Sequence, residues 1–200
     1  MGVWIGDRVS AEDHANSTTI VISPLRSLWK EWLLTFWLAG FTFVGGTMIY
    51  LAFVGLDTLN RPDNFSEENF DNQRIYLFVF IGFWTYFEYK IFRAWAWYKY
   101  GKEYILIGTE AISFKKSWFG YGKANKFLFE NIKKLGIRTI DEGTFGHFFE
   151  NAYWTLGIDR IGFEHFGKNQ SFGRRLDEKS CKLLLRLIDD RVKKMLRKRK

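Results

Sequence analysis

The chain is poor in the residues that build covalent and metal cross-links. Its 200 residues include one cysteine, three histidines and two prolines. A lone Cys181 excludes an internal disulfide and a cysteine-rich zinc site, and gives no sign of an oxidising compartment. His14, His147 and His165 lack the mutual spacing of a metal-binding motif. There is no nucleophile elbow, no glycine-rich phosphate loop followed by lysine, and no HExxH helix. No catalytic residue, metal or cofactor is therefore expected, and the chain reads as a non-enzyme. Asp141-Glu142-Gly143 reads as turn chemistry, and Gly167 and Gly173 as turns or bulges around a strand. The start also lacks the basic region and short apolar core of a signal peptide. Residues 1–23 are expected to be a flexible, polar segment, with TTIVI at 18–22 a short strand or an extended lead-in.

What the chain does have is one long apolar run. Residues 32–56, WLLTFWLAGFTFVGGTMIYLAFVGL, contain no charge over 25 positions. As a helix this run measures roughly 37 Å, enough to cross a hydrocarbon core of about 30 Å. Ser23 and Pro24 suit a helix start, and 24–31 reads as an interfacial lead or an extension of the span. The second run, IYLFVFIGFWTYF at 75–87, is too short alone and is expected to continue to about Trp97, with Lys90 and Arg93 snorkelling and Trp95, Trp97 and Tyr98 at headgroup level. Aromatic residues make up 20% of the chain, and many lie in or beside these runs. The mean hydropathy of −0.19 argues against a fully embedded transporter.

Charge sets the orientation. The linker 57–74 holds five carboxylates against two arginines, whereas residues 101–200 hold 22 Lys/Arg against 12 Asp/Glu. The positive-inside rule places both termini in the cytoplasm and the acidic loop outside. The expected domains are thus a segment 1–23, a transmembrane hairpin over 24–98 with spans at 32–56 and 75–97, and a cytoplasmic domain over 99–200.

From 102 to 175, short β-branched and aromatic stretches (EYILIG, AISFKK, KFLFENI, LGIRTI, AYWTLGI, RIGFEHF, NQSFG) alternate with turn residues, the pattern of an antiparallel all-β unit. Asp177 then suits an N-cap, and Cys181, Leu184, Leu185, Ile188, Val192 and Met195 trace one apolar helical face. The segments YGKEYILIGTEAISF (100–114), KFLFENIKKLGI (126–137) and KNQSFGRRLDEKSCKLLLRLI (168–188), placed after two spans, resemble the bacterial pleckstrin-homology-like membrane proteins over about residues 32–196. The resemblance implies a membrane α-helical hairpin plus an all-β PH-like domain of antiparallel strands closed by the C-terminal amphipathic helix. It implies a bacterial inner-membrane protein whose domain binds other proteins or membrane surfaces. The chain departs from lipid-binding relatives of that fold: only Gly108-Thr109-Glu110 stands where their long basic loop holds inositol phosphates.

Two groups of residues are candidates for contact. Thr35, Ala39, Thr42 and Gly46 form a small-residue stripe for helix packing, against the second span or a separate protein. Glu88 lies 13 positions into the second span, where it is interfacial, packs against a partner, or handles a proton or ion. Lys115, Lys116, Lys123 and Lys126, with the tail Lys193, Lys194, Arg197, Lys198, Arg199 and Lys200, suit an anionic surface. For the tail, a solvated helix end, lipid headgroups, RNA and an acidic protein all remain open, with no nucleic acid expected as the main partner. The functional expectation is an accessory or assembly subunit that docks its cytoplasmic domain onto a larger inner-membrane complex. The alternative is a sensor that binds anionic membrane lipids. A homo-oligomer is compatible with either.

Overall fold

The structure is a computed structural model that describes residues 2–55, 67–138, 152 and 154–199, with backbone alone at 2–3, 54–55, 67–74 and 198–199. His147, the Asp141-Glu142-Gly143 turn, Lys200 and most of the expected acidic loop lie outside the described residues. The chain divides into a β unit, Met1–Ser27 with Ala96–Lys200, and a helical unit, Leu28–Trp95.

The β unit begins at the N-terminus. The segment expected to be flexible forms three strands: β1 Gly2–Ile5, β2 Val9–Asp13 and β3 Thr18–Ile22. After the helical unit come β4 Lys102–Ile107, β5 Ala111–Ser117 and β6 Ala124–Leu128. All six form one antiparallel sheet in the order β1-β2-β3-β4-β5-β6. Its central seam pairs β3 with β4, Ile22 opposite Glu103 and Thr18 opposite Ile107. A single 3-10 turn, Phe129–Asn131, leads to β7 Ile132–Ile137. With β8 Asp159–His165 and β9 Lys168–Arg174 it makes a second, three-stranded sheet. The expected strand AYWTLGI does not appear at the described residues 152 and 154–158.

The expected PH-like domain closed by its C-terminal helix is therefore corrected. Both sheets are open, and neither curls into a barrel. The physical reason lies in the strand inventory. The N-terminal strands extend the first sheet beyond β4, so β4 is a central strand rather than the start of a closed meander. The C-terminal helix, Glu178–Arg199, covers the core without sealing a barrel. Its Cys181, Leu184, Ile188 and Met195 are buried in one cluster with Ile20, Ile22, Ile105, Ile107, Ile161 and Phe172, each fully buried aliphatic contributing on the order of 1.5–3 kcal/mol. Across the sheets, Phe114 packs on Phe172 and Phe163 at centroid distances of 4.6 and 5.2 Å. The helix start is as expected: Ser180 N–H donates to Asp177 Oδ2 at 3.0 Å.

In the helical unit, α1 runs Leu28–Tyr50 and continues as a π-helical turn, Leu51–Gly55. It starts beyond Pro24, which sits in the extended link to β3. Helix α2, Glu67–Tyr100, enters the β unit with its last five residues; the C-terminal helix is α3. Two stretches, Leu28–Phe53 over α1 and the start of the π-helical turn and Ile75–Tyr100 within α2, are long and apolar enough to cross a membrane. Only 11% and 6% of their most apolar windows is buried. Partly or fully buried positions recur on α1 at Leu34, Leu38, Phe41, Gly45, Met48 and Ala52, and on α2 at Leu77, Ile81, Trp84, Glu88, Ile91 and Trp95. This alternating three- and four-residue step is the period of a helix-pair seam.

Trp84 fills that seam. Its indole N–H donates to the Phe41 carbonyl at 3.1 Å, and a Cβ at Gly45 would stand 2.0 Å from its ring. Gly46, by contrast, has nothing within 4 Å of that position. Gly45→Leu should therefore lower the thermal midpoint of the purified chain in detergent, at an overpacking cost of about 1–3 kcal/mol, while Gly46→Leu leaves the midpoint in place. In the β unit, bonding to Ser180 holds the Asp177 carboxyl below its ordinary pKa. Its stabilisation is then present above the unfolded-state carboxylate range and lost as pH falls through the folded value. Asp177→Ala should cost about 1 kcal/mol at neutral pH, a difference that shrinks to nothing in acid when denaturation is compared at both pH values.

Candidate functional site

Strand alternation puts every second residue of β4 on one face. Glu103 thereby shares the inward parity of Ile105 and Ile107, and is 3% exposed. A carboxylate in that position needs donors, and β9 brings two. Gly173 N–H donates to Oε2 at 2.7 Å and Arg174 N–H to Oε1 at 3.0 Å. A left-handed φ of 76° at Gly173 curls the end of the strand so that the two consecutive N–H groups converge, as in a backbone anion nest. The bond joins the six-stranded sheet to the three-stranded one where no strand ladder does.

Other charges complete the joint. Asp159, at the start of β8, accepts from Lys116 Nζ at 2.5 Å, Ser171 Oγ at 3.0 Å and Arg174 Nε at 3.2 Å. The Arg174 guanidinium lies over the Trp97 ring at 4.5 Å. Arg8, in the β1–β2 turn, donates to the carbonyls of Ser23, Arg175 and Arg174 at 3.0, 2.6 and 3.0 Å. Arg175 lies over Tyr98 at 5.3 Å and reaches the carbonyls of Ala152 and Thr155. Burial pushes the Glu103 carboxyl above its ordinary pKa, with Lys116 and the two N–H groups opposing. Burial likewise pushes Arg8 down, against Glu103 and Asp177. The Cys181 thiol is pushed up to about 11 by burial, which keeps it protonated and a poor nucleophile.

The groups of this cluster are spent on one another and on the backbone. The cluster escaped notice in the sequence because its members are distant there. The one available signal was the parity of Glu103 with Ile105 and Ile107. Trp97 and Tyr98, expected at headgroup level, are buried within the β unit under Arg174 and Arg175.

The expected site residues separate into groups. In the helical unit, Thr42 Oγ donates to Glu88 Oε1 at 2.5 Å, and Trp95 Nε1 donates to Thr35 Oγ at 2.9 Å. Thr42 Oγ also lies 2.8 Å from the Leu38 carbonyl, so its single proton faces two acceptors. Ala39 and Gly46 are exposed, one position off the seam.

Among the lysines, Lys116 is tied to Asp159, whereas Lys123 and Lys126 are exposed and Lys115 reaches only the Gly120 carbonyl, at 3.2 Å, and the face of Tyr104. Lys193 pairs with Asp189, and Lys194 and Arg197 are exposed nearby; the side chains of Lys198 and Arg199 lie outside the described residues. The two basic groups do not form one surface. Lys116 lies opposite Glu103 at the end of the sheet joined to both helices, while Arg191 pairs with Asp13 at the other end, at 2.7 Å. Among the described residues no group of three or more His, Cys, Asp or Glu could hold a metal ion. No protein-family model, curated protein or solved structure matches this chain.

Glu103→Ala orphans the buried Gly173 N–H, at about 1–3 kcal/mol, and the part-buried Arg174 N–H, and should lower the unfolding midpoint steeply. Glu103→Gln, which keeps one acceptor, should cost less, and Lys126→Ala on the exposed face should stay within about 0.5 kcal/mol of the parent. Denaturant titration of the three variants checks the ranking.

Proposed function

We propose that this chain is a membrane-anchored, non-enzymatic accessory subunit, held by α1 and α2 and presenting its β unit on one side of the bilayer to a larger integral-membrane complex. One observation carries the reading. The strands that precede α1 and follow α2 pair with each other, β3 with β4 over five residue pairs. The two flanks of the helical unit therefore lie in one compartment, which requires an even number of crossings. A pair of helices with apolar side chains exposed all round, such as Phe36, Phe43, Tyr76 and Phe83 at 81%, 76%, 74% and 65%, suits lipid and would be costly in water. The basic excess after α2 supports a cytoplasmic β unit.

The accessory role rests on what the surfaces offer. The charged joint is consumed internally, so it favours a scaffold over a reaction centre. Ala39, Gly40, Gly46 and Gly82 leave shallow places on the outer helical surfaces, and nothing lies within 4 Å of a Cβ at the three glycines. A neighbouring helix can approach closely there. The intact chain, purified in mild detergent, should carry a stoichiometric integral-membrane partner. Ala39→Leu with Gly46→Leu should release that partner without altering the chain's own thermal midpoint. A chain that runs as a clean monomer, with no specific partner, contradicts the proposal.

A further inference from the structure

Resting on that membrane-anchored reading, we propose that the β5–β6 hairpin tip, Trp118–Lys123, inserts into the lipid headgroup layer and fixes the β unit against the membrane surface. The register places it. Ser117 lies opposite Lys102, the first residue after α2 and Gly101, and Glu103 lies opposite Ile22, the last residue before the link to α1. The tip therefore projects from the same end of the six-stranded sheet as both chain connections. Within the β unit it touches the end of α2 directly, the Phe119 and Tyr100 rings standing 4.3 Å apart. Tyr100 is also the last residue of the apolar stretch Ile75–Tyr100.

The chemistry of the tip is that of an interfacial anchor. Phe119 is 49% and Tyr121 82% exposed, with Trp118 beside them. The amphipathic rings of Tyr121 and Trp118 favour the boundary between headgroups and acyl chains, and the apolar Phe119 ring gains by leaving water there. Residues 111–129 carry Lys115, Lys116, Lys123 and Lys126 and no carboxylate, which complements anionic headgroups. The turn itself does not ask for an aromatic residue. Trp118 and Tyr121 exchange both backbone hydrogen bonds, at 2.9 and 2.8 Å, around Phe119 and Gly120 at φ of 48° and 86°. That is the two-residue hairpin geometry that favours Asn-Gly; phenylalanine in the left-handed region is held at a cost.

The molecule contains its own control. The β8–β9 turn is also Phe-Gly, with Phe166 75% exposed. It lies at the far end of the three-stranded sheet, since Asp159 at the near end meets Lys116 and Arg174. The basic end of α3 also lies at the far end, beside Asp13, and has no part in the anchor.

The test places the full chain in vesicles of phosphatidylcholine with phosphatidylglycerol, each sample carrying one added cysteine as the reactive thiol, because Cys181 is buried. Fluorophores at Phe83→Cys, Tyr121→Cys and Phe166→Cys are challenged with a lipid-confined and a water-soluble quencher. The expected result is lipid quenching at 83 and 121 and aqueous quenching alone at 166. Adding Phe119→Asn, which suits the turn, should abolish lipid quenching at 121 without lowering the thermal midpoint. Aqueous quenching at 121 with lipid quenching at 83 overturns the anchor and leaves the membrane reading standing. Shielding of 121 from both quenchers means a protein contact, and persistence of lipid quenching with Phe119→Asn removes the aromatic anchor; each overturns the proposal. Aqueous quenching at 83 overturns the membrane reading and the anchor together.

Discussion

The buried carboxylate of Glu103 is the joint on which the β unit depends. Among the described residues the two sheets share no strand ladder, and each has open edges. Phe114, Phe163 and Phe172 supply hydrophobic contact between them, but such contact is non-directional and tolerates sliding. The two hydrogen bonds from Gly173 and Arg174 to Glu103 set one register. A half-satisfied carboxylate in that interior would be costly, so both bonds contribute to the joint. Arg8 extends it by binding the carbonyls on either side, from Ser23 at the end of β3 and from Arg174 and Arg175 at the end of β9.

The joint sits at the end of the sheet where the chain leaves for α1 and returns from α2. Trp97 and Tyr98, in the last turns of α2, are covered there by Arg174 and Arg175. Gly101 ends the helix at this point, donating to the Trp97 carbonyl at 2.9 Å, and a Cβ would meet the Trp97 ring at 2.5 Å. The return into the sheet is thus short, with Gly101 alone between α2 and β4. The same end presents the aromatic hairpin, while the basic end of α3 lies opposite. Charge that looks like one cationic surface along the chain is divided in space, which separates the roles open to its two halves.

The elements with strong local periodicity were legible in the sequence. The uncharged run at 32–56, the face of α3 and its Asp177 cap follow from residue spacing alone. Of the N-terminal strands only β3 was legible, as one of two readings of TTIVI; β1 and β2 were not, because their place depends on β3 pairing with β4, more than 80 residues away across the helical unit, and a polar strand without its neighbour looks like a loop. Openness of the sheets was illegible for the same reason: it depends on how many strands join, which local pattern cannot count. Of the stripe Thr35-Ala39-Thr42-Gly46, Thr35 and Thr42 are hydrogen-bonded to α2 while Ala39 and Gly46 stand one position off the seam. Here an indole on α2 fills the space, so Gly45 faces it while Thr35 and Thr42 serve as polar contacts at its margin. Of the charged joint, only the inward parity of Glu103 was visible.

The central claim is that α1 and α2 form a membrane hairpin with the β unit on one side. The most direct measurement is thiol labelling of the full chain in sealed membrane vesicles of known orientation, with an impermeant reagent. Asn64→Cys, between the helices, and Lys179→Cys, on α3, are compared, with buried Cys181 silent. Each site should be labelled from one side only, and the two sides should be opposite. Labelling of both cysteines from the same side would contradict that claim.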